Sequence, residues 1–323
     1  MKSKKFSAIA TSVFGILLFG ACFWLTEFPD PERLRDADMG WFCVAILAQG
    51  GFALLMPVRW QIMSAGAGVR LPYGPAFEIS AYASLAAAVI PQSLADLAGR
   101  GPWEAKFTGC GLLNATNIIL CDRLLDVYII ALLLPAGIAY SIDSFSPRAC
   151  VLFGSATLLC GLLFLLALKE KFFEMFEILF RWLRWCLEKL PILAGRFNWH
   201  VSPIKLTYSA LFKVYAISVI KFFVIAFSTL AYFAFVNIDV SLTAVFFALP
   251  LTQFVFIFAF TPGGLGIFEL GWTGILAARS ISASQISLFL LSQRLCFTVG
   301  VIVWALIAWA WSKAFPLSTA EKA

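Results

Sequence analysis

Charged residues are scarce in this chain. They form 13% of its 323 residues, where a soluble domain carries about 25%. Hydrophobic residues form 61%. That imbalance excludes an ordinary soluble globular fold, and the apolar runs are long enough to be bilayer-crossing helices. No soluble domain is left once those runs are assigned. Histidine is nearly missing as well. The single His200 sits in a basic stretch and reads as a surface residue rather than a base or a ligand. No Cys, His and Asp grouping has metal-ligand spacing, so no metal and no cofactor is expected. Neither G-x-S-x-G nor G-x-x-x-x-G-K-[ST] occurs, which counts against hydrolase chemistry and against ATP-driven pumping by this chain. The cysteines at 22, 43, 110, 121, 150, 160, 186 and 296 contain no C-x-x-C pair. They read as small hydrophobes, not as a disulfide framework.

The net charge of +6 raises the question of nucleic acid, but the cations lie between the apolar runs. They report topology and an anionic lipid surface, and no nucleic-acid partner is expected. The basic, apolar N-terminus resembles a signal peptide. Its run is too long and lacks an A-x-A site, so it is read as the first span.

The expected architecture is all-α: a polytopic helical membrane protein forming one transmembrane domain over 1–323. Spans are expected at about 7–26, 40–62, 124–140, 149–168, 207–236 and 283–311. Two helix pairs, 74–121 and 242–280, are each interrupted by a proline-containing loop. Residues 169–205 hold seven Lys/Arg and four Glu interleaved with Phe, Leu and Trp. Phe172, Phe173, Phe176, Phe180, Leu183 and Leu187 recur at helical spacing, which predicts an amphipathic cytoplasmic helix on anionic lipid. The N-terminal lysines, the Arg59–Arg70 region, 169–205 and the tail are basic, whereas 27–38, 141–148 and 237–241 are not. The positive-inside rule therefore puts both termini in the cytoplasm. Helical spans without an outer-membrane strand pattern point to a bacterial cytoplasmic membrane.

The most informative stretch is Thr261–Glu269, TPGGLGIFE. Pro262, Gly263, Gly264 and Gly266 break a helix inside apolar sequence. Broken backbone at membrane depth survives only against protein or a water-filled cavity. The helix after it is too short to cross, so a re-entrant hairpin is expected, the kind of element on which transporters build sites. A turn at the membrane surface with Glu269 in water is the other reading. The break also has an echo. Pro91-x-x-Leu94-Ala95 answers Pro262-x-x-Leu265-Gly266, and Asp122-Arg123-Leu124 answers Gln293-Arg294-Leu295, both with an offset of 171 residues. Each half reads span, span, broken hairpin, span, an odd number of crossings however the hairpins resolve. The second half is then upside down relative to the first, with repeat one at about 1–140 and repeat two at about 149–312.

These motifs resemble the lysylphosphatidylglycerol synthase transmembrane-region family, the flippase-like domain also found in the multiple peptide resistance factor. That family carries an R-W element, a proline-glycine loop ending in arginine, a D/E-R-L element and a later P-G-G-x-G-x-x-E motif. The counterparts are Arg59-Trp60, Pro91 through Arg100, Asp122-Arg123-Leu124, and Pro262 through Glu269. The first loop departs from the pattern, with Gln92, Ser93 and Ala95 where glycines are usual and Asp96 one position early. The aminoacyl-transfer domain of bifunctional members has no counterpart here, so the resemblance implies the lipid-translocating part and not the synthase.

A sparse set of intramembrane polar residues remains: Glu78, Asp96, Arg100, Glu104, Lys106, Asp122, Arg123, Asp126, Lys221, Gln253, Glu269, Arg279, Gln293 and Arg294. A charge at mid-span is expensive and normally faces a partner or a wet cavity. Arg294 and Glu269 are expected to pair. Asp122, Arg123 and Asp126 read either as a helix-end ion-pair cluster or as part of a site. As a site, Arg100, Arg123, Lys221 and Arg294 would line a groove for a lipid phosphate together with the Pro262, Gly263, Gly264 and Gly266 turn, helped by exposed N–H groups at the N-termini of the half-helices after Pro91 and Pro262. Glu269, Asp122 and Asp126 would hold the cations or take up a coupling proton. The expected function is translocation of an amphiphilic lipid with an anionic head group through a polar groove between the repeats. Two alternatives stand beside it: an integral-membrane transferase using Asp122, Asp126 and Glu269 on a lipid-linked substrate, and a non-catalytic membrane subunit. The lipid is the expected partner, and the sequence names no protein partner.

Overall fold

The computed structural model describes residues 2–26, 32, 35–142, 144–172, 174, 178, 203–257 and 261–315, with backbone alone for 2–12, 92, 93, 256 and 257. Among these residues there are eleven α-helices and no strand, as an all-α polytopic membrane protein requires. The amphipathic helix expected over 169–205 lies, apart from its ends, outside the described residues.

The first half consists of α1 (Lys2–Thr26), α2 (Met39–Gly66), α3 (Tyr73–Ala87), the short α4 (Gln92–Ala95), α5 (Gly101–Thr108) and α6 (Leu112–Ser141). The second consists of α7 (Pro147–Ala167), α8 (Tyr208–Phe235), α9 (Leu242–Ile257), α10 (Ile267–Ala278) and α11 (Ala283–Ala314). Helices α2, α7, α8 and α11 are long and apolar enough to cross a membrane. Most long helices start on a local cap. Asp38 accepts from the Gly40 N–H at 2.8 Å, and the hydroxyls of Ser146, Thr207 and Ser282 accept from the N–H three residues on. Each cap satisfies a donor that the helix cannot.

Helices α2 and α8 run antiparallel. Asp38 N–H donates to the Phe235 carbonyl at 2.9 Å, and at the other end Lys205 N–H donates to the Gly66 carbonyl at 2.8 Å. The hairpin α3–α5 starts just after the C-terminal end of α2. It returns to that end, because Glu104 of α5 contacts Trp60 and Ser64. The hairpin α9–α10 starts just after the C-terminal end of α8, which is the opposite end. It also returns, since Phe247 stacks on Tyr140 and Arg279 donates to the Tyr140 carbonyl at 2.6 Å. Two re-entrant hairpins therefore enter from opposite ends and meet inside, where Gly263 N–H donates to the Ile90 carbonyl at 3.3 Å. The packing respects exchange of the halves: α3 lies on α11, and α9 lies on α6. The second arm, α10, has 12 residues and a length of about 18 Å, too short to cross.

Two boundaries differ from expectation. No interruption falls at 121–124, because α6 is one helix of 30 residues. The break lies earlier, at Gly109 and Gly111, whose φ of 70° and 81° only glycine adopts readily. Asp122, Arg123 and Asp126 are therefore mid-helix, which rules out a helix-end cluster at the membrane surface. Arg59 is likewise no loop cation. It sits within α2 with no exposed surface, leaving Arg70 as the cation of that loop.

Where α2 crosses α11, two glycines admit large partners. Trp304 fills the space at Gly50 and bonds to the Ile46 carbonyl at 2.8 Å. Gln49 fills the space at Gly300 and donates to the Tyr232 hydroxyl and the Cys296 carbonyl. The described cysteines are all free thiols.

Candidate functional site

The two breaks are built differently. In the second, Thr261 leads into a 3-10 turn, Pro262–Gly264, and then Gly266 opens α10. Gly263, Gly264 and Gly266 all have positive φ. Space is as tight as torsion. A Cβ on Gly263 would stand 2.7 Å from the Ala88 carbonyl oxygen, and one on Gly266 2.3 Å from Leu18 Cβ on α1. The first break has no such glycines and uses a π-turn at Asp96–Arg100 instead. The wider turn places Asp96 and Arg100 in the interior together. The missing glycines of the first loop thus mark a different backbone solution, not the loss of the break.

Each break is held by the arginine 32 residues past its proline. Arg294 Nε pairs with Glu269 Oε1, and its Nη1 donates to the Gly263 carbonyl at 2.8 Å. The other oxygen of Glu269 accepts from the Gly266 N–H at 2.7 Å, capping α10. Glu269 has no exposed surface, so it is not in a surface turn. The expected Arg294–Glu269 pair is present. In the first half Arg123 Nη2 pairs with Asp96 Oδ2.

Behind these pairs lies a buried network. Arg59 Nε donates to Asp122 Oδ1 at 2.6 Å, and its two terminal nitrogens grip both oxygens of Asp126. It also donates to Ser218 Oγ at 2.9 Å. Arg100 reaches the second oxygen of Asp122 at 3.3 Å and stacks 4.4 Å from the Trp60 ring. Lys221 on α8 pairs with Asp126. Glu104 accepts from Trp60 Nε1 at 2.9 Å and from Ser64 Oγ. Arg59, Arg100, Arg123, Lys221 and Arg294 are ion-paired with Asp96, Asp122, Asp126 and Glu269, and Glu104 brings the formal count to five charges of each sign. Pairing on this scale lets charge exist at membrane depth.

In front of the network is a cavity of about 390 Å³. Asp96, Arg123, Asp126, Lys221, Gly263 and Arg294 face it, joined by Gln49, Gln253, Gln293 and Tyr232, with Phe52, Phe268, Phe297 and Trp304 among its apolar walls. Arg123, Asp126 and Arg294 keep 25%, 18% and 19% of their side chains exposed. The structure thus brings Arg123, Lys221, Gly263 and Arg294 to one cavity. Arg100 and Asp122 do not reach it and act as braces behind it. Pro262, Gly264, Gly266 and Glu269 shape the second break without lining the space. The cations on the cavity wall are each paired with a carboxylate: Arg123 with Asp96, Lys221 with Asp126 and Arg294 with Glu269.

Arg59, the centre of the network, is not among the site residues expected from sequence. A signal for it exists, since it follows an unbroken apolar run and precedes a tryptophan. Among the described residues no group of three His, Cys, Asp or Glu could hold a metal ion.

Residues 10–308 match the family model described as the lysylphosphatidylglycerol synthase TM region. No curated protein matches the chain.

Proposed function

The chain belongs to the lysylphosphatidylglycerol synthase transmembrane-region family, and on that premise we propose that it translocates an amphiphilic membrane lipid with an anionic head group. The lipid's tails stay in hydrocarbon while the head group crosses the cavity between the two hairpins. One observation carries this reading: a cavity at the meeting point of two oppositely entering hairpins, with Arg123, Lys221 and Arg294 on its wall. Broken helices meeting at mid-membrane are where transporters bind substrate, and rocking of one half against the other exposes the site alternately.

The charges suggest how an anion is accommodated. A phosphate entering beside Arg123 or Arg294 competes with Asp96 or Glu269 for the guanidinium. Release of a carboxylate, or its protonation, would couple binding to movement of the hairpins. The lining carboxylates are engaged by cations, which favours this role over acid–base work in a transferase. We place the protein in a bacterial cytoplasmic membrane with the basic end inside. The loop at Arg70, the Lys169 and Lys205 ends of the basic linker and the end of α11 share one end of the bundle.

The test is reconstitution. Proteoliposomes containing a head-group-labelled anionic phospholipid should show protein-dependent loss of label to an impermeant quencher or reductant. Arg294→Ala and Glu269→Ala should abolish that loss while the protein stays folded. Undiminished translocation in both variants would refute the assignment.

A further inference from the structure

Of the five carboxylates in the network, Asp96, Asp122, Asp126 and Glu269 each touch a cation. Glu104 does not. It has no exposed surface and no ion pair among the described residues. Its oxygens meet neutral donors alone, Trp60 Nε1 at 2.9 Å on Oε2 and the Ser64 hydroxyl on Oε1. A buried carboxylate without a counter-ion is the kind that takes up a proton. The two partners suit that exchange. An indole N–H only donates, and a carboxyl group keeps an accepting oxygen for it with or without a proton. A serine hydroxyl donates or accepts, so it can give to the carboxylate or receive from the acid.

A second observation lies one turn away. Arg100 rests 4.4 Å from the ring of the same Trp60, and its buried Nε has no partner. Its contacts with Asp122 at 3.3 Å and Asp96 at 3.5 Å exceed the roughly 2.7–2.9 Å of a firm charge-assisted bond. Arg100 is therefore loosely held and has a donor to spare. The charged or titratable groups around Glu104 are Asp96 and Arg100 of the π-turn, Asp122 of α6 and Cys110 just after α5. From α2 come the neutral Trp60 and Ser64, while Arg59 turns to Asp122 and Asp126.

We propose that Glu104 is a proton-binding site whose charge state sets the grip of Arg100 on Asp96 and Asp122. With the proton on, Arg100 stays with the two aspartates. When the proton leaves to water, the carboxylate draws Arg100 toward itself, and Asp96 is left to Arg123 on the cavity wall. Glu104 is thus a positioning residue, acting on the cavity through Arg100 and Asp96. Ser64 is two residues from the end of α2, and its carbonyl accepts from Val69 N–H at 2.8 Å in the loop that carries Arg70. The proton therefore enters and leaves at the basic end and is not carried across. What the rearrangement does for transport rests on the proposed function; proton binding does not.

The test follows the indole N–H resonance of Trp60 against pH in nanodiscs, with tryptophan labelled by nitrogen-15 and the signal assigned by its loss in Trp60→Phe. Wild-type protein should show one titration at this resonance. Glu104→Gln preserves an oxygen for Trp60 and an amide for Ser64, and should abolish the titration. Ser64→Ala should displace its midpoint by about one pH unit, tenfold in proton affinity, as loss of one bond to a charged group allows. Should Glu104→Gln not fold, Ser64→Ala decides alone. A resonance that does not titrate, a titration that survives Glu104→Gln, or a midpoint unmoved by Ser64→Ala would overturn the proposal. Lipid translocation measured across the same pH range answers separately. Its rate should change around the Trp60 midpoint and lose that dependence in Glu104→Gln; a flat wild-type profile would break the link through Arg100. Protein that titrates but moves no lipid keeps the proton site and loses the translocase.

Discussion

Arg123 and Arg294, separated by 171 residues of sequence, face one cavity, and each grips a carboxylate that follows the proline break of its own half. The match is functional rather than literal. Asp96 lies five residues past Pro91, and Glu269 seven past Pro262. The π-turn in one half and the glycines in the other supply the difference.

Removing Arg294 strands Glu269 with no exposed surface and no cation. Arg294→Ala should therefore destabilise the protein by about 3 kcal/mol as well as stop translocation. Adding Glu269→Gln should recover part of the stability and none of the activity. Thermal unfolding in detergent, beside the proteoliposome assay, checks both. A single variant with wild-type stability contradicts the pairing.

Arg59 holds two aspartates with a fork that lysine lacks. Arg59→Lys keeps the charge but cannot engage Asp122 and Asp126 together. It should behave nearly as badly as Arg59→Ala, with a loss of several kcal/mol, on the order of 3–5. Yield of monodisperse protein and its melting temperature read this out. Full tolerance of lysine would mean that the fork geometry is irrelevant.

Gly263 combines a φ of 60° with the approach of the Ala88 carbonyl. Gly263→Ala costs about 1–2 kcal/mol in torsion and also pushes the two breaks apart. Activity should fall far more than stability, because the added methyl loosens the junction between the hairpins and leaves the core alone. Cysteine labelling from the aqueous side at Ala88→Cys should rise in the same variant. Unchanged labelling would place the strain elsewhere.

The α2–α11 crossing depends on Gly50 and Gly300. Alanine at Gly50 must displace the Trp304 ring, whose nearest atom lies 1.8 Å from the new Cβ. Overpacking of this kind costs about 1–3 kcal/mol. Gly50→Ala with Trp304→Phe should regain stability over Gly50→Ala alone, measured by unfolding. Absence of rescue would show that the crossing relaxes by another route.

Much of this architecture can be read in the residues. Helix-breaking Pro262, Gly263, Gly264 and Gly266 announce their hairpin through torsion alone, and an odd number of crossings per half dictates opposite orientation. The Arg294–Glu269 pair follows from the cost of charge in lipid. Other features cannot be read so. Asp122-Arg123 resembles a helix end and draws the split between α5 and α6 toward itself, whereas Gly109 and Gly111 supply the actual turn. Arg59 reads as a loop cation because a lone arginine at the end of an apolar run snorkels as readily as it pairs. Arg100 behaves the other way, braced against Trp60 and Asp122 out of reach of the cavity. Which cations face the space depends on helix rotation, and the low amphipathicity of these spans leaves rotation unspecified.

The balance of buried cations and carboxylates bears on energetics across an energised membrane. Unit charge moved through 100 mV is worth about 2.3 kcal/mol, but matched charges moving together sum to nothing. On the proposed function, an empty carrier built this way resets without feeling the voltage, and only the cargo's own charge is driven. Imposed diffusion potentials should then change the rate for a lipid of net charge and leave a zwitterionic cargo indifferent. A potential-dependent rate with zwitterionic cargo would show that some of those charges move unaccompanied.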